Sequence, residues 1–259
     1  MLADDRRRRI YELIREEGSA RVSDLSEAFA VSEPTIRSDL EKLERDGLIV
    51  RDHGGAYLRG LDTLVRTQTL GHRENFAQKR AIGRAAAHLV HDSDTLILDS
   101  GSTVTELARN LSNHRDLHVV TNALNIALLL GSEPSFTVHV TGGEFKAPTL
   151  SLTGDQAASI FQHVFVGKLF LATAGISFES GLTYPGFSDL PVKRAMIRAA
   201  KKIYLLADSS KIGRTSFAAL GGLSDIDVLV TDCGIDAESR SRFEQFGIET
   251  IIAATAEPR

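Results

Sequence analysis

The apolar positions of the first 45 residues recur with a helical period in three short segments. The third segment is the clearest, because Ile36, Leu40 and Leu43 stand at i, i+4 and i+7 and therefore share one buried stripe. Ser32 can cap this helix, and Pro34 falls in its first turn, where a missing N–H costs nothing. The pattern predicts three short packed helices with a tight turn before the third.

A different pattern follows Gly47. Residues 48–57 predict a β-hairpin, in which Gly54 and Gly55 can take positive φ at the turn. Arg51 and His53 lie on this hairpin and could reach phosphates or a minor groove if the unit binds DNA.

Beyond about residue 73, short apolar runs alternate with amphipathic helical segments, which predicts an α/β fold with a mainly parallel sheet covered on both faces. We therefore predict a first domain over residues 1–58, a linker over 59–72 and a second domain over 73–259. The predicted strands are 95–99, 118–121, 137–141, 168–173, 203–208, 228–232 and 250–253. The predicted helices between them are 103–111, 123–130, 155–163, 189–200 and 237–246.

Composition narrows the class of protein. With 42% hydrophobic and 25% charged residues, the 259-residue chain can bury an ordinary globular core. Its apolar runs are far shorter than the roughly 20 residues that cross a bilayer, so we expect a cytoplasmic protein without a membrane partner. Cys233 is the only cysteine, and the histidines are not grouped with carboxylates, so we expect neither a metal nor a cofactor.

Net charge does not indicate a nucleic-acid partner. Residues 1–60 hold 11 Lys and Arg against 13 Asp and Glu, and the formal net charge of the whole chain is −4. The position of the cations is therefore more informative than their number. Arg6 to Arg9 could cluster with Arg37, Arg45 and Arg51 on one side of the first domain.

The third helix is the candidate DNA-reading element. Its apolar stripe leaves Thr35, Arg37 and Ser38 near its N-terminal end, which is the part that meets base edges when such a helix lies in a major groove. A three-helix unit with the same spacing could instead be a protein-interaction module.

Residues 22–56 carry a more specific signal. They include Val31-Ser-Glu-Pro-Thr-Ile-Arg-Ser-Asp-Leu40 and Arg51-Asp-His-Gly-Gly-Ala56, which resemble the helix and wing signatures of DeoR-family regulators. The resemblance implies a winged helix-turn-helix that binds double-stranded operator DNA. Ser38 departs from the pattern, since the family usually has a second arginine there, and this puts the operator sequence in doubt. The candidate DNA-binding residues are Ser32, Pro34, Thr35, Arg37, Ser38, Arg51, His53 and Gly54.

The ends of the predicted strands carry the second group of candidate residues. Asp99-Ser100-Gly101-Ser102-Thr103 joins a strand to a helix, where backbone N–H groups and hydroxyls can bind an anion. Asp99 repels a phosphate, so we assign it to a sugar hydroxyl or to bracing the loop. Ordinary helix capping would also explain these hydroxyls. Similar polar groups follow other strands, at 121–122, 142–143, 173–175 and 208–211, and could meet in one crevice.

From residue 74 to about 233 the order of these pieces resembles the DeoR C-terminal sensor domain, whose fold is similar to ribose-5-phosphate isomerase and glucosamine-6-phosphate deaminase. Lys193 also belongs to a basic run, with Arg194, Arg198, Lys201 and Lys202, that the pattern favours as a solvated face. The resemblance implies a sugar-phosphate site lined by Asp99, Ser100, Gly101, Ser102, Thr103, Thr121, Asn122, Gly142, Gly143 and Lys211, with Lys193 as an addition.

Three functions are compatible with these features. The main hypothesis is a transcription regulator, a homodimer or homotetramer, that represses a carbohydrate-utilisation operon and is released from its operator by a phosphorylated sugar. The main alternative is a sugar-phosphate isomerase or deaminase with an appended helical domain. That chemistry needs a carboxylate base, and Thr173, Ala174 and Gly175 offer none at the strand end where the related enzymes carry acidic residues. A protein-interaction adaptor would leave the strand-end polar groups unexplained.

Overall fold

The computed structural model describes residues 2–17, 19–52, 54–57, 74–146 and 149–254. The chain divides into two compact units, formed mainly by the residues up to 57 and by the residues from 74 onward. The predicted linker, residues 59–72, lies outside the described residues.

The first unit contains the three predicted helices and the predicted hairpin. The elements are α1 (Ala3–Glu17), β1 (Ser19–Arg21), α2 (Val22–Phe29), α3 (Glu33–Arg45), β2 (Val50–Asp52) and β3 (Gly55–Tyr57). The strands pair antiparallel in the order β1-β3-β2. Ile10 and Ile14 of α1 and Ile36 of α3 are fully buried, so the helical stripes form the core of this unit.

Gly55 has a different role from the one that the sequence suggests. Neither Gly54 nor Gly55 has a positive φ, so the prediction about the turn is wrong. A Cβ atom on Gly55 would instead lie 2.3 Å from the carbonyl oxygen of Ala20. Glycine is required here because the third strand, β1, approaches the hairpin closely.

The second unit is an α/β fold built around seven parallel strands, as predicted. The sheet has the order β15-β14-β12-β9-β4-β5-β6, and each neighbouring pair is parallel. Its strands are β4 (Thr95–Leu98), β5 (His118–Thr121), β6 (Thr137–Val140), β9 (Val166–Ala172), β12 (Ala200–Leu206), β14 (Val228–Asp232) and β15 (Glu249–Ala253). The helices are α4 (Phe76–Ala87), α5 (Ser102–Ala108), α6 (Leu124–Leu130), α7 (Gly154–Ser159), α8 (Leu190–Ala199) and α9 (Ala237–Gln245).

The sheet separates two hydrophobic cores. Leu96, Leu98 and Phe170 belong to one core, whereas the alternate residues Ile97 and Leu169 belong to the other. A parallel sheet that is covered on both faces needs apolar side chains at successive positions, and this explains why the strands read as continuous apolar runs.

Several elements of this unit were not predicted. The alternation of strands and helices does not reveal α4, whose Gly83 lies so close to α5 that a Cβ atom there would be 2.5 Å from the carbonyl carbon of Glu106. Small strands also form a ribbon and a second sheet. They are β7 (Glu144–Lys146) with β8 (Ser151–Thr153), and β10 (Gly175–Ser177), β11 (Gly181–Tyr184) and β13 (Ala218–Gly221) in the order β10-β11-β13. In the described part of the chain, no helix is long and apolar enough to span a bilayer.

Candidate functional site

The start of α3 lies where the sequence predicts it, but its capping differs from the prediction. Ser32 is extended and stands at the N-cap, and Pro34 lies in the first turn. The Ser32 carbonyl accepts hydrogen bonds from the N–H groups of Thr35 (2.9 Å) and Ile36 (3.1 Å). The Ser32 hydroxyl does not cap the helix. It bonds the hydroxyl of Thr35 at 2.9 Å, so both hydroxyls stay at the exposed end of the helix.

The solvent-facing side of α3 presents Arg37 and Ser38. Arg37 is exposed and donates to the Glu33 carboxylate one turn earlier, at 2.6 Å. An exposed ion pair of this kind contributes only about 0–1 kcal/mol. Because little is lost when Arg37 leaves Glu33, its guanidinium is available to a phosphate or a base.

The wing arginine pairs with carboxylates of α3. Arg51 Nη1 lies 3.0 Å from Glu41 Oε1, and its Nε lies 3.1 Å from Glu44 Oε2, so two carboxylates of α3 face this one guanidinium. These contacts tie the hairpin to α3. Gly54 is exposed, with open space where a side chain would be, and His53 lies outside the described residues.

The arginines at the start of the chain pair with carboxylates. Arg6 Nε and Arg7 Nη1 lie 2.6 and 3.3 Å from the carboxylate of Asp39, which is only 3% exposed. Arg8 and Arg9 pair with Asp5 within α1. Arg6 and Arg7 therefore join α1 to α3. The signal for this in the sequence is that Asp39 falls on the buried face of α3, three residues after Ile36.

The carboxyl end of the parallel sheet collects most of the second group of candidates. The chain first builds β4, β5 and β6 in one direction, then returns to place β9 on the other side of β4 and continues outward to β12. The order therefore reverses between β4 and β9, and ligands of open α/β sheets bind outside the carboxyl ends at such a point. Asp99 to Thr103 follow β4 at this position.

Asp99 and Lys193 form a buried ion pair at this reversal point. Lys193 Nζ lies 2.6 Å from Asp99 Oδ2, and the two side chains are 4% and 0% exposed. The same carboxylate oxygen accepts the N–H of Ala172, at the end of β9, and Lys193 also stands 4.8 Å from the centre of the Tyr184 ring. Burial raises the pKa of Asp99, and the Lys193 ammonium opposes that rise. The solvated face predicted for Lys193 is therefore wrong.

Two candidate glycines are needed for close packing. Gly101 has φ +146°, and a Cβ atom there would lie 2.8 Å from the side chain of Ala172. Gly143 has φ +116°, and a Cβ atom there would lie 2.4 Å from the carbonyl oxygen of Thr153. Gly142 has ordinary space around it, near the side chain of Gln156. Gly101 and Gly143 thus let two strand-end loops approach their neighbours.

Some polar groups of the loop after β5 already hydrogen-bond within the protein. The Thr121 hydroxyl donates to the carbonyl of Leu98 at 2.7 Å and accepts the N–H of Ala123 at 3.0 Å. This leaves the hydroxyl no proton for a ligand. Asn122 donates its Nδ2 to the carbonyl of Leu152 at 3.2 Å.

The loop after β12 carries Lys211 at the end of a short 3-10 turn, Ser209–Lys211. Lys211 is half-buried, and its N–H bonds the carbonyl of Asp208 at 3.0 Å. Ser209 donates its N–H and its hydroxyl to Asp232 at the end of β14. The turn is therefore fixed to the sheet at the same edge as Asp99.

Buried polar atoms without a partner concentrate in these loops. Among the described residues, four side-chain oxygens within two residues of the ends of strands β4, β5, β6 and β12 are buried and make no hydrogen bond. Each such atom costs about 1–3 kcal/mol when it is left unsatisfied. This concentration indicates a place where water or a polar ligand completes the hydrogen bonding. The atoms are Asp99 Oδ1, Asn122 Oδ1, Thr141 Oγ1 and Asp208 Oδ2.

Comparison with known protein families identifies both units. A DeoR-like helix-turn-helix domain matches residues 6–59, and the DeoR C-terminal sensor domain matches residues 74–233. A helix-turn-helix with exposed polar groups on α3, joined to a sensor domain, defines a DNA-binding transcription regulator.

Whole-chain relatives agree with this class. The chain is 37% identical to the HTH-type transcriptional regulator GlpR of Haloferax volcanii over 253 residues, which are 97% of this chain and 98% of that protein. It is 34% identical to the HTH-type transcriptional repressor GlcR of Bacillus subtilis over 232 residues, 90% of this chain and 89% of that protein. It is also 34% identical to the lactose phosphotransferase system repressor of Streptococcus mutans, with 91% and 94% coverage. The protein belongs to the DeoR family of transcription regulators, and the relatives are regulators and repressors rather than enzymes.

Two solved structures align with part of this chain at low identity. The ribose 5-phosphate isomerase A of Methanocaldococcus jannaschii is 16% identical over 53% of this chain and 55% of that chain, with a TM-score of 0.40. The eIF2B delta subunit of Chaetomium thermophilum is 18% identical over 62% of this chain and 57% of that chain, with a TM-score of 0.44.

Proposed function

We propose that the carboxyl edge of the parallel sheet binds a phosphorylated sugar, and that this effector controls operator binding by the first unit. The observation that carries the proposal is the row of buried polar oxygens without partners after β4, β5, β6 and β12. Asp99 pairs with Lys193, and Asp208 stands just before the turn that carries Lys211. β4, β5 and β6 are adjacent strands and β9 separates β4 from β12, so all four strand ends lie at one edge of the parallel sheet. A ligand with several hydroxyls and one anionic group fits that combination.

The two lysines have different roles in this proposal. Lys193 is neutralised by Asp99, so the pair keeps the floor of the crevice polar without attracting a net charge. Lys211 is half-buried with no such carboxylate partner in the described part of the chain, and it supplies the charge for the phosphate. Ser100 and Ser102 add hydroxyl donors, and Asn122 and Thr141 face the sugar hydroxyls. The backbone of Gly101, Gly142 and Gly143 and the hydroxyl of Thr103 complete the proposed site.

For the first unit, we propose that α3 enters the major groove with Thr35, Arg37 and Ser38 toward the bases, while Arg51, His53 and Gly54 of the wing lie near the phosphates. Ser38 offers a shorter contact than arginine, so the preferred operator differs at the position it meets. A homodimer or homotetramer, acting in the cytoplasm, would place two such helices about one helical turn or a multiple of it apart.

We also propose the sign of the regulation. The relatives GlcR and the lactose phosphotransferase system repressor are named as repressors, which favours a repressor of a carbohydrate-utilisation operon that the effector releases from DNA. Release requires that the effector bind the DNA-free form more tightly than the DNA-bound form, because only differential affinity shifts the equilibrium.

The effector proposal is tested by thermal unfolding with a panel of ribose 5-phosphate, glucose 6-phosphate, fructose 6-phosphate and glucosamine 6-phosphate. A ligand of the folded state raises the melting temperature by mass action, and at 100 times its Kd it adds about 2.7 kcal/mol of stability. We expect one compound to raise the melting temperature of the wild type while its free sugar and inorganic phosphate do not. Lys211→Met should remove the shift. Equal shifts with the free sugar would refute a phosphate-specific site.

Replacing Arg37 with alanine is expected to weaken operator binding by tenfold or more, on the order of 1–3 kcal/mol, because a base or phosphate contact is lost. Operator duplexes are obtained by selecting random-sequence DNA on the wild-type protein, and affinity is measured by fluorescence anisotropy. The matched control is Arg240→Ala, since Arg240 also forms an exposed i,i+4 pair, with Glu244 on α9. The effector-induced thermal shift should be unchanged in both variants. Loss of that shift in Arg37→Ala would mean that α3 is not a separate DNA-reading element.

A further inference from the structure

We propose that Asn75 is the residue that passes the state of the effector site to the segment leading to the DNA-binding unit. This inference rests on the proposed function and names how the same site is regulated. Asn75 immediately precedes α4, the first helix of the second unit. The chain that comes from the first unit therefore reaches α4 through this residue.

The side chain of Asn75 reaches across the fold instead of capping its own helix. Asn75 stands at the N-cap of α4 with φ +52°, and its side chain makes no capping hydrogen bond. Its Nδ2 instead donates to Asp208 Oδ1 and to Ser210 Oγ, both at 3.0 Å and more than 130 residues away in sequence. Asparagine tolerates a left-handed backbone better than most residues, so this position can hold both the turn and the long-range contact.

The acceptors of Asn75 belong to the loop that carries Lys211. Asp208 is 1% exposed, and its Oδ1 also receives the N–H and the hydroxyl of Ser210. Asp208 Oδ2 is one of the buried oxygens without a partner among the described residues. Lys211 follows Ser210 directly and is bonded to Asp208 through its N–H. Any rearrangement of this turn therefore changes the contacts of Asn75.

Binding of a phosphate provides such a rearrangement. The Ser210 hydroxyl has one proton, which it donates to Asp208 Oδ1. A dianionic phosphate can only accept hydrogen bonds, so a phosphate bound at Lys211 takes the hydrogen bond of the Ser210 hydroxyl away from Asp208 Oδ1. The Asn75 amide then becomes the remaining side-chain donor to Asp208 Oδ1 among the residues described near it. The loop thus has two hydrogen-bonding arrangements, and the effector favours one of them.

Asn75→Gly tests this coupling with little change to the backbone, because glycine accepts the same positive φ and removes only the side chain. Three quantities are measured on the full chain: the affinity for the panel sugar phosphate that gives the largest thermal shift, the operator affinity without it, and the operator affinity at its saturation. We expect the effector affinity and the operator affinity without effector to stay within about threefold of the wild-type values. The ratio of the two operator affinities, typically about 5–150 in allosteric proteins, should fall by at least about threefold.

Two further variants define the outcome. Asn110→Gly is the matched control, because the Nδ2 of Asn110 donates locally, to the carbonyl of Glu106. The ratio of operator affinities in this variant should equal that of the wild type. Asn75→Asp keeps the shape but places a second carboxylate beside Asp208, and it should lower the ratio as well. A wild-type ratio in Asn75→Gly refutes the coupling while leaving the effector site intact. If Asn75→Gly loses effector affinity as well as the change in operator affinity, Asn75 only supports the effector site and the coupling proposal is wrong. If none of the panel compounds affects the wild type, the proposed effector class itself fails.

Discussion

Replacing Asp99 with alanine is expected to lower the free energy of unfolding of the second unit by about 3–5 kcal/mol. The substitution leaves the Lys193 ammonium buried without its carboxylate, since the two groups are 2.6 Å apart and almost fully buried. Most of the cost comes from the uncompensated charge rather than from lost packing. Hydrogen exchange of peptides from β4 and α8 in the full-length protein measures the effect on this unit alone.

The double variant Asp99→Ala/Lys193→Met separates charge from packing. It should be more stable than Asp99→Ala, because neither charge of the pair remains buried. Glu244→Ala is the surface control, since Glu244 pairs with Arg240 in the open, and it should change stability by no more than about 0.5 kcal/mol. If Asp99→Ala costs no more than this control, the buried pair does not stabilise the fold.

The pair of Asp99 and Lys193 also predicts how the free energy of unfolding depends on pH. Burial raises the pKa of Asp99 above the ordinary value of 3.8, and the Lys193 ammonium limits that rise. In Lys193→Met the opposing charge is gone, so the folded protein binds a proton at a pH where the unfolded chain does not. The stability of this variant should therefore fall as the pH rises above about 3.8, relative to the wild type.

Replacing Asp39 with alanine is expected to lower the free energy of unfolding of the first unit by about 2–3 kcal/mol. Asp39 is buried and receives Arg6 and Arg7, whose side chains are 12% and 18% exposed and can turn partly to water when it is lost. The cost is therefore below that of Asp99→Ala. It is large for a unit of this size, since stability amounts to about 0.05–0.15 kcal/mol per residue. Operator binding should weaken as well, because Asp39 lies on α3.

Asp5→Ala is the control for Asp39→Ala. Asp5 also pairs with two arginines, Arg8 and Arg9, but within one helix and on its solvent-accessible side. We expect it to change the stability by at most about 0.5 kcal/mol. Exchange rates of peptides from α3, together with operator affinity, distinguish the two variants. Equal exchange rates in both would mean that the link between α1 and α3 does not hold the unit together.

The DNA-binding element shows what periodicity and local motifs determine. The apolar stripe of α3 fixes which face is buried, and the Ser-Pro start fixes where the helix begins, so the positions of Arg37 and Ser38 follow from the sequence alone. The ion-pair partners of Arg6 and Arg7 cannot be predicted from the sequence alone. A carboxylate on a buried helix face attracts whichever cations the fold brings near it, and α1 lies more than 30 residues away in the chain.

The strand-end loops show the same division between what local sequence determines and what the tertiary structure decides. The sequence determined the α/β class, the bounds of the main strands within a few residues, and the polar groups at their ends, because hydrophobic periodicity and turn residues are local properties. Only the tertiary structure decided that the strand order reverses between β4 and β9, that Lys193 is buried against Asp99, and that Asn75 reaches Asp208. These contacts join residues more than 90 positions apart, and their geometry depends on strand order and helix packing, which a one-dimensional pattern does not contain.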